Sequence, residues 1–203
     1  MPAPRPEWNH NIHYFPFIER VAARTSRRNA LDVGPGDGML AARLARTIPS
    51  VTGLDLDPRQ VELSRAAHGD VPGLVFEQGD VLATTPDGAP FDLVTCSATI
   101  HHLPLEAALA RLAELTAPGG SLVVVGLARD ASPSDVALSG FTVFVSRVVR
   151  ALRGWYDHGA PMEDPTDSWA TVRRTAQRSL PGVTYRRRLY WRYTLVWVKP
   201  ISA

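Results

Sequence analysis

Ala30-Leu31-Asp32-Val33-Gly34-Pro35-Gly36-Asp37-Gly38 is the stretch that decides the fold. Ala30 to Val33 reads as a buried strand, and three glycines then alternate with Pro35 and Asp37. Glycine lets a backbone approach a ligand closely and take dihedrals that other residues avoid. Met39 to Ile48 follows as a helix, with Leu40, Leu44 and Ile48 at four-residue spacing. Pro49 stops it. Strand, glycine loop and helix in this order point to a nucleotide-type ligand.

The alternation continues downstream. Val51 to Asp55 is a short strand. Asp57-Pro58 supplies an N-cap followed by proline at the first helical position, opening a helix that runs to about His68. Leu74 to Gln78 is a third strand. Phe91 to Ser97 is a fourth, nearly all apolar or small, as suits a strand covered on both faces. Pro104 opens a helix that carries Leu105, Ala108, Leu109, Leu112 and Leu115 on one face. Pro118-Gly119-Gly120 turns the chain into a fifth strand, Ser121 to Leu127. Strands alternating with helices imply an α/β doubly wound sheet, parallel and covered on both faces. Ligands of such sheets bind beyond the carboxyl ends of the strands, where the strand order reverses.

Three acidic residues stand at three of those ends. Asp32 precedes the loop and can orient it or balance an ammonium group. Asp55 ends the second strand, where a carboxylate can accept both hydroxyls of a ribose. Asp80 follows the third strand, where it can accept the exocyclic amine of adenine. Two rival ligands fit less well. The dinucleotide fingerprint G-x-G-x-x-G needs a third glycine where Met39 stands, and a P-loop needs a Gly-Lys-Ser/Thr that is absent. Met39 and Asp80 together disfavour an NAD-dependent oxidoreductase.

At this point the chain resembles the class I S-adenosylmethionine-dependent methyltransferases, in particular small bacterial single-domain members. The matching pieces are ALDVGPGDG (30–38), VTGLDLD (51–57), FEQGDV (76–81), FDLVTCSATIHHL (91–103) and LTAPGGSLVVV (115–125), in order and in spacing. The resemblance implies a Rossmann-like seven-stranded sheet, mostly parallel with an antiparallel last strand. It implies S-adenosyl-L-methionine as cofactor. By that resemblance Asp32, Gly34 and Gly36 surround the methionine portion, Asp55 binds the ribose hydroxyls, and Leu56 packs on the adenine face. Asp80 and Val81 contact adenine, Ser97 lies near the methionine amine, and Tyr14 closes over the cofactor. His101 faces the substrate, and a phenol or hydroxyl acceptor would want a base there. His-His-Leu also recurs in relatives with different acceptors, so His101 can equally shape the pocket. For individual residues plainer roles compete: Gly38 as a packing glycine, Asp57 as a helix cap and His102 as a helix-start residue.

The flanks are less regular. Ile12 to Arg24 reads as a short amphipathic helix bearing Tyr14, Phe15 and Phe17. Val136 to Leu152 reads as a helix and 153–166 as a loop. Thr166 or Asp167 caps a helix running to Ser179, and Val183 to Lys199 holds two more strands whose turn no Gly, Asn or Pro marks. The expected organisation is one domain over 1–203: tail and helix (1–28), cofactor-binding core (29–127), substrate lid (128–166), and C-terminal helix and strands (167–203). Phe141, Phe144, Trp155 and Tyr156 are candidates to line an apolar acceptor site in that lid, with sheet-edge cover or a dimer contact as the alternative.

Composition bounds the rest. The chain has 203 residues, 45% hydrophobic and 21% charged, which suits one globular domain. Cys96 is the only cysteine, so no intrachain disulfide or cysteine zinc site is expected. His10, His13 and His158 have no carboxylate spacing that supports a metal site. No apolar run approaches a bilayer span, and no membrane partner is expected. Nor is there a signal-peptide stretch, so a cytoplasmic location follows. Arg173, Arg174, Arg178 and Arg186 to Arg188 could meet phosphates, yet in a chain where Lys199 is the sole lysine they read as a solvated face, and nucleic acid is not expected. The expected function is methyl transfer to a small-molecule acceptor at O, N or C, by a monomer or homodimer. An RNA or protein methyltransferase, or a non-methylating enzyme on the same fold, is the alternative.

Overall fold

A computed structural model describes residues 8–24, 28–156 and 164–201. Seven strands form one sheet: β1 (Asn29–Val33), β2 (Ser50–Asp55), β3 (Leu74–Gln78), β4 (Phe91–Ser97), β5 (Thr116–Leu127), β6 (Thr184–Arg187) and β7 (Arg192–Val198). Their order is β3-β2-β1-β4-β5-β7-β6. All pairings from β3 to β5 are parallel, and β7 runs antiparallel to both its neighbours. The mixed seven-stranded sheet expected from the sequence is the one observed. The strand order reverses between β1 and β4, so the glycine loop after β1 and the segment after β4 meet at the switch point.

Helices α1 (Phe15–Ala22), α2 (Met39–Leu44) and α3 (Pro58–His68) cover one face, and α4 (Leu105–Leu115) and α6 (Trp169–Ser179) the other. Strand alternation divides the residues between these two cores. Ala30, Val51, Leu93, Val123 and Val125 pack beneath α1–α3, whereas Leu31, Val94, Leu122, Val124 and Leu195 pack beneath α4 and α6. The expected stripe of α4, from Leu105 to Leu115, is buried throughout. The lone lysine closes that helix: Lys199 Nζ donates to the carbonyls of Ala113 and Thr116 at 2.8 Å each, meeting the groups a helix end leaves unpaired.

Several boundaries differ from expectation. Helix α2 stops at Leu44, and i→i+3 bonds from Arg46 and Thr47 tighten the chain before Pro49. The first helix begins as a 3-10 turn, Ile12–Tyr14, before α1. Helix α5 (Pro133–Arg153) starts earlier than expected, because Ser132 and Asp135 form a reciprocal capping box. Ser168, rather than Thr166 or Asp167, caps α6.

The unmarked turn lies between β6 and β7 and is built from Tyr190 (φ 59°) and Trp191 (φ 55°). Two aromatic residues in the left-handed region are strained. Burial holds Tyr190 there. The His10 ring stacks on Tyr190 with centroids 4.6 Å apart, and Trp8 meets the same ring edge-on at 5.7 Å. Turn chemistry read from glycine and asparagine cannot reveal a turn made by tertiary packing.

Candidate active site

Three glycines of the loop do three different jobs. Gly34 (φ +66°) faces Thr99: a Cβ there would lie 2.3 Å from the threonine side chain, whose hydroxyl donates to the Gly34 carbonyl at 3.1 Å. Gly36 (φ +57°) faces open space, with nothing within 4 Å of a Cβ. Gly38 packs on the Phe76 ring, 2.7 Å from where its Cβ would be, which is the packing role weighed from the sequence. The loop is thus clamped on two sides and open at Gly36, as a backbone that must admit a ligand requires.

Around this opening stand the strand-end acids. Asp55, half-buried, accepts the Asp57 N–H at 3.0 Å through Oδ1 and the Gly36 N–H at 3.4 Å through Oδ2, and burial pushes its carboxyl above the usual range. Leu56 beside it is 66% exposed. Asp80 Oδ1 accepts the Leu82 N–H at 2.9 Å, and Val81 is buried. Asp57 caps α3 by accepting the Arg59 N–H at 2.9 Å.

Asp32 is the most perturbed group. It is buried on the α1–α3 side of the sheet, and its carboxyl rises from 3.8 to about 7. Burial is the main cause. The Thr95 hydroxyl, donating to Oδ1 at 2.7 Å, opposes the rise, and the nearby Asp55 and Asp37 add to it. Asp32 Oδ2 and the Ser97 hydroxyl oxygen are both buried with no hydrogen-bond partner. Unpaired buried polar atoms are costly, and two of them at adjacent strand ends call for a ligand with donors. Cys96 between them is inert, its thiol pushed up to about 12 by burial.

His101 lies in the short 3-10 turn after β4, Ile100–His102, half-buried, its ring centroid 4.1 Å from that of His102. Tyr14 is buried, and its hydroxyl donates to the Leu189 carbonyl at 2.8 Å, tying the N-terminal segment to the β6–β7 turn. His10 belongs to the aromatic cluster at that turn. Burial, with Arg192 beside it, holds the imidazole down to about 4, and Nε2 lies 2.8 Å from the Ser146 hydroxyl of α5. His158 falls outside the described residues. Among the described residues no group of three or more His, Cys, Asp or Glu could hold a metal.

The aromatics expected in a lid divide. Phe141 and Phe144 point outward from α5 and are exposed. Trp155 and Tyr156 fold inward: the Tyr156 hydroxyl donates to Asp37 Oδ2 at 3.1 Å, and its N–H donates to the Trp8 carbonyl at 2.8 Å. Two contributors carried no sequence signal. Thr99 looked like a loop residue. Arg192, at the start of β7, is buried and donates to Asn11 Oδ1 at 2.6 Å and to the Tyr190 carbonyl at 3.0 Å, burial lowering its guanidinium to about 10.

A doubly wound sheet with an open glycine loop at its switch point and carboxylates ending β1 and β2 defines the class I methyltransferase architecture. Known proteins agree. A family model described as a methyltransferase domain matches residues 30–120. An uncharacterised methyltransferase of Mycobacterium tuberculosis is 33% identical over 197 residues, covering 96% of this chain and 98% of that one. A ubiquinone biosynthesis O-methyltransferase of Alkalilimnicola ehrlichii is 31% identical over 83% of this chain and 69% of its own. Among solved structures, the YcgJ protein of Bacillus subtilis aligns with a TM-score of 0.63 at 19% identity, over 86% of this chain and 69% of that chain. A TehB-like SAM-dependent methyltransferase of Corynebacterium glutamicum aligns at 0.56 and 18% identity, over 90% and 86%. The chain belongs to the class I methyltransferase family.

Proposed function

We propose that the chain transfers a methyl group from S-adenosyl-L-methionine to an oxygen of a small-molecule acceptor. The observation that carries this reading is the pair of unpartnered buried atoms, Asp32 Oδ2 and Ser97 Oγ, beside the open flank of Gly36. An ammonium group satisfies the first and relieves the raised Asp32 carboxyl. Asp55 receives ribose hydroxyls, Leu56 covers one face of the adenine, and Asp80 with the Val81 amide meets its edge. Bound there, the cofactor supplies an electrophilic methyl on a sulfonium, and the chain's contribution is position and exclusion of water.

On the acceptor side, His101 takes the proton of the acceptor hydroxyl. Trp155 and Tyr156 form the inward wall of a lid over the glycine loop, with Tyr14 holding the β6–β7 turn against the N-terminal segment. The ubiquinone biosynthesis O-methyltransferase relatives support oxygen as the acceptor atom and a small molecule as its carrier. Incubating the protein with radiolabelled cofactor and a panel of catechols, phenols and carboxylic acids tests the reading. Transfer to an oxygen nucleophile, with S-adenosylhomocysteine formed in equal amount, is expected. Transfer confined to amines or to RNA would overturn it.

A further inference from the structure

Helix α5 carries apolar residues on both faces. Its inner face mixes Asp135, Ser139, Thr142 and Ser146 with Val145 and Val149, all buried or half-buried, and the two valines pack on the core beneath α1–α3. Among the polar residues, Asp135 engages Arg187, Ser139 engages Asp130, and Ser146 engages His10. Its outer face carries Val136, Gly140, Phe144, Val148 and Leu152 in one i→i+4 row, flanked by Phe141 and Val143. All are exposed, Phe144 at 66% and Leu152 at 80%. An apolar row of this length facing water marks an interaction surface.

The charges say what covers it. Asp135, the one carboxylate of α5, is turned inward, whereas Arg147, Arg150 and Arg153 are exposed along its second half, Arg150 with its guanidinium over the Trp155 ring at 5.1 Å. Arg147 sits inside the apolar face. Against a second copy of this helix it would lose water with no carboxylate opposite to receive it, a costly arrangement. Against a bilayer its stem lies along the apolar face while the guanidinium reaches headgroup phosphates. No helix of the described residues is long and apolar enough to cross a membrane, so α5 would lie in the interface plane.

We infer that the outer face of α5 docks this chain on a bilayer surface bearing anionic headgroups. Helix α5 leaves the carboxyl end of the sheet, and the segment after it returns to the glycine loop through Tyr156 and Asp37. The inference does not depend on the acceptor chemistry proposed above, because its test reads partition alone.

The test is flotation of the full chain with vesicles of phosphatidylcholine, and of phosphatidylcholine and phosphatidylglycerol at a seven-to-three ratio. Binding to the mixed vesicles is expected. Phe144→Asp and, independently, Leu152→Ser should each weaken it about tenfold or more, while cofactor binding measured by calorimetry stays intact and confirms the fold. Replacing Arg147, Arg150 and Arg153 with Gln should cost about fivefold per arginine on the anionic vesicles only. Absence of binding to either vesicle, equal binding to both, or binding indifferent to Phe144→Asp would overturn the inference. So would a dimer in sedimentation equilibrium that Phe144→Asp dissociates, which would make this face an interface between copies.

Discussion

Thr95 donates its hydroxyl hydrogen to Asp32 Oδ1 at 2.7 Å, while Asp32 Oδ2, on the same carboxyl, has no partner. One bond is too few for a buried carboxylate, and the group holds a proton up to about pH 7. The folded state thus binds that proton more tightly than the unfolded chain, whose aspartates titrate near 3.8. The stabilisation is fully present below pH 3.8 and fades as pH rises to about 7. Asp32→Asn should flatten that slope and raise the unfolding free energy at pH 8, by at most about 4 kcal/mol. Denaturant melts of both proteins from pH 4 to pH 8 check it; parallel slopes would contradict it.

The two open-conformation glycines should fail differently. Gly34→Ala drives a methyl into Thr99 and should cost about 3 kcal/mol of stability, overpacking adding to the left-handed strain. Gly36→Ala meets no protein atom and should cost about 1–2 kcal/mol, all of it strain. Its larger effect should be on cofactor affinity, about tenfold or more, because the methyl occupies the cradle. Melting temperatures and calorimetry on both variants separate the two.

At the β6–β7 turn, strain and packing oppose one another. Tyr190→Asn would suit the left-handed backbone, a gain of about 1 kcal/mol. It would also remove a ring that is 2% exposed and stacked on His10, a loss of about 3 kcal/mol or more. Packing should win, and the variant should unfold at lower denaturant.

His101→Ala should lower kcat by about a hundredfold or more on an oxygen acceptor and leave cofactor affinity unchanged. A kcat within a few-fold of the parent would leave His101 as a wall of the pocket.

Most of the sheet was legible because β1 to β5 carry local signals: short apolar runs, with glycine or aspartate closing β1 to β3 and Pro90 and Pro118-Gly119-Gly120 preceding the apolar runs of β4 and β5. The strand-end acids were legible for the same reason, since Asp32, Asp55 and Asp80 take their positions from those strands. The rest depends on contacts distant in sequence. Nothing near Tyr190 announces a turn, because what holds it is His10 and Trp8. Nothing near Phe144 says that it faces water. An amphipathic pattern does not say which apolar residues pack, and in α5 they stand on both faces: Val145 and Val149 pack inward while Phe141 and Phe144 face water. Phe141 and Phe144, candidates for an apolar acceptor site or else for sheet-edge cover or a dimer contact, are exposed.

A cofactor seated between Gly36, Asp32 and Asp55 is tested most directly by calorimetry with Asp55→Ala. The parent should bind S-adenosyl-L-methionine and S-adenosylhomocysteine and fail to bind NAD. Loss of the ribose hydrogen bonds to a charged acceptor should weaken the first two by about tenfold to a hundredfold in the variant. Tight binding of NAD with neither of the others, or an affinity indifferent to Asp55→Ala, would contradict it.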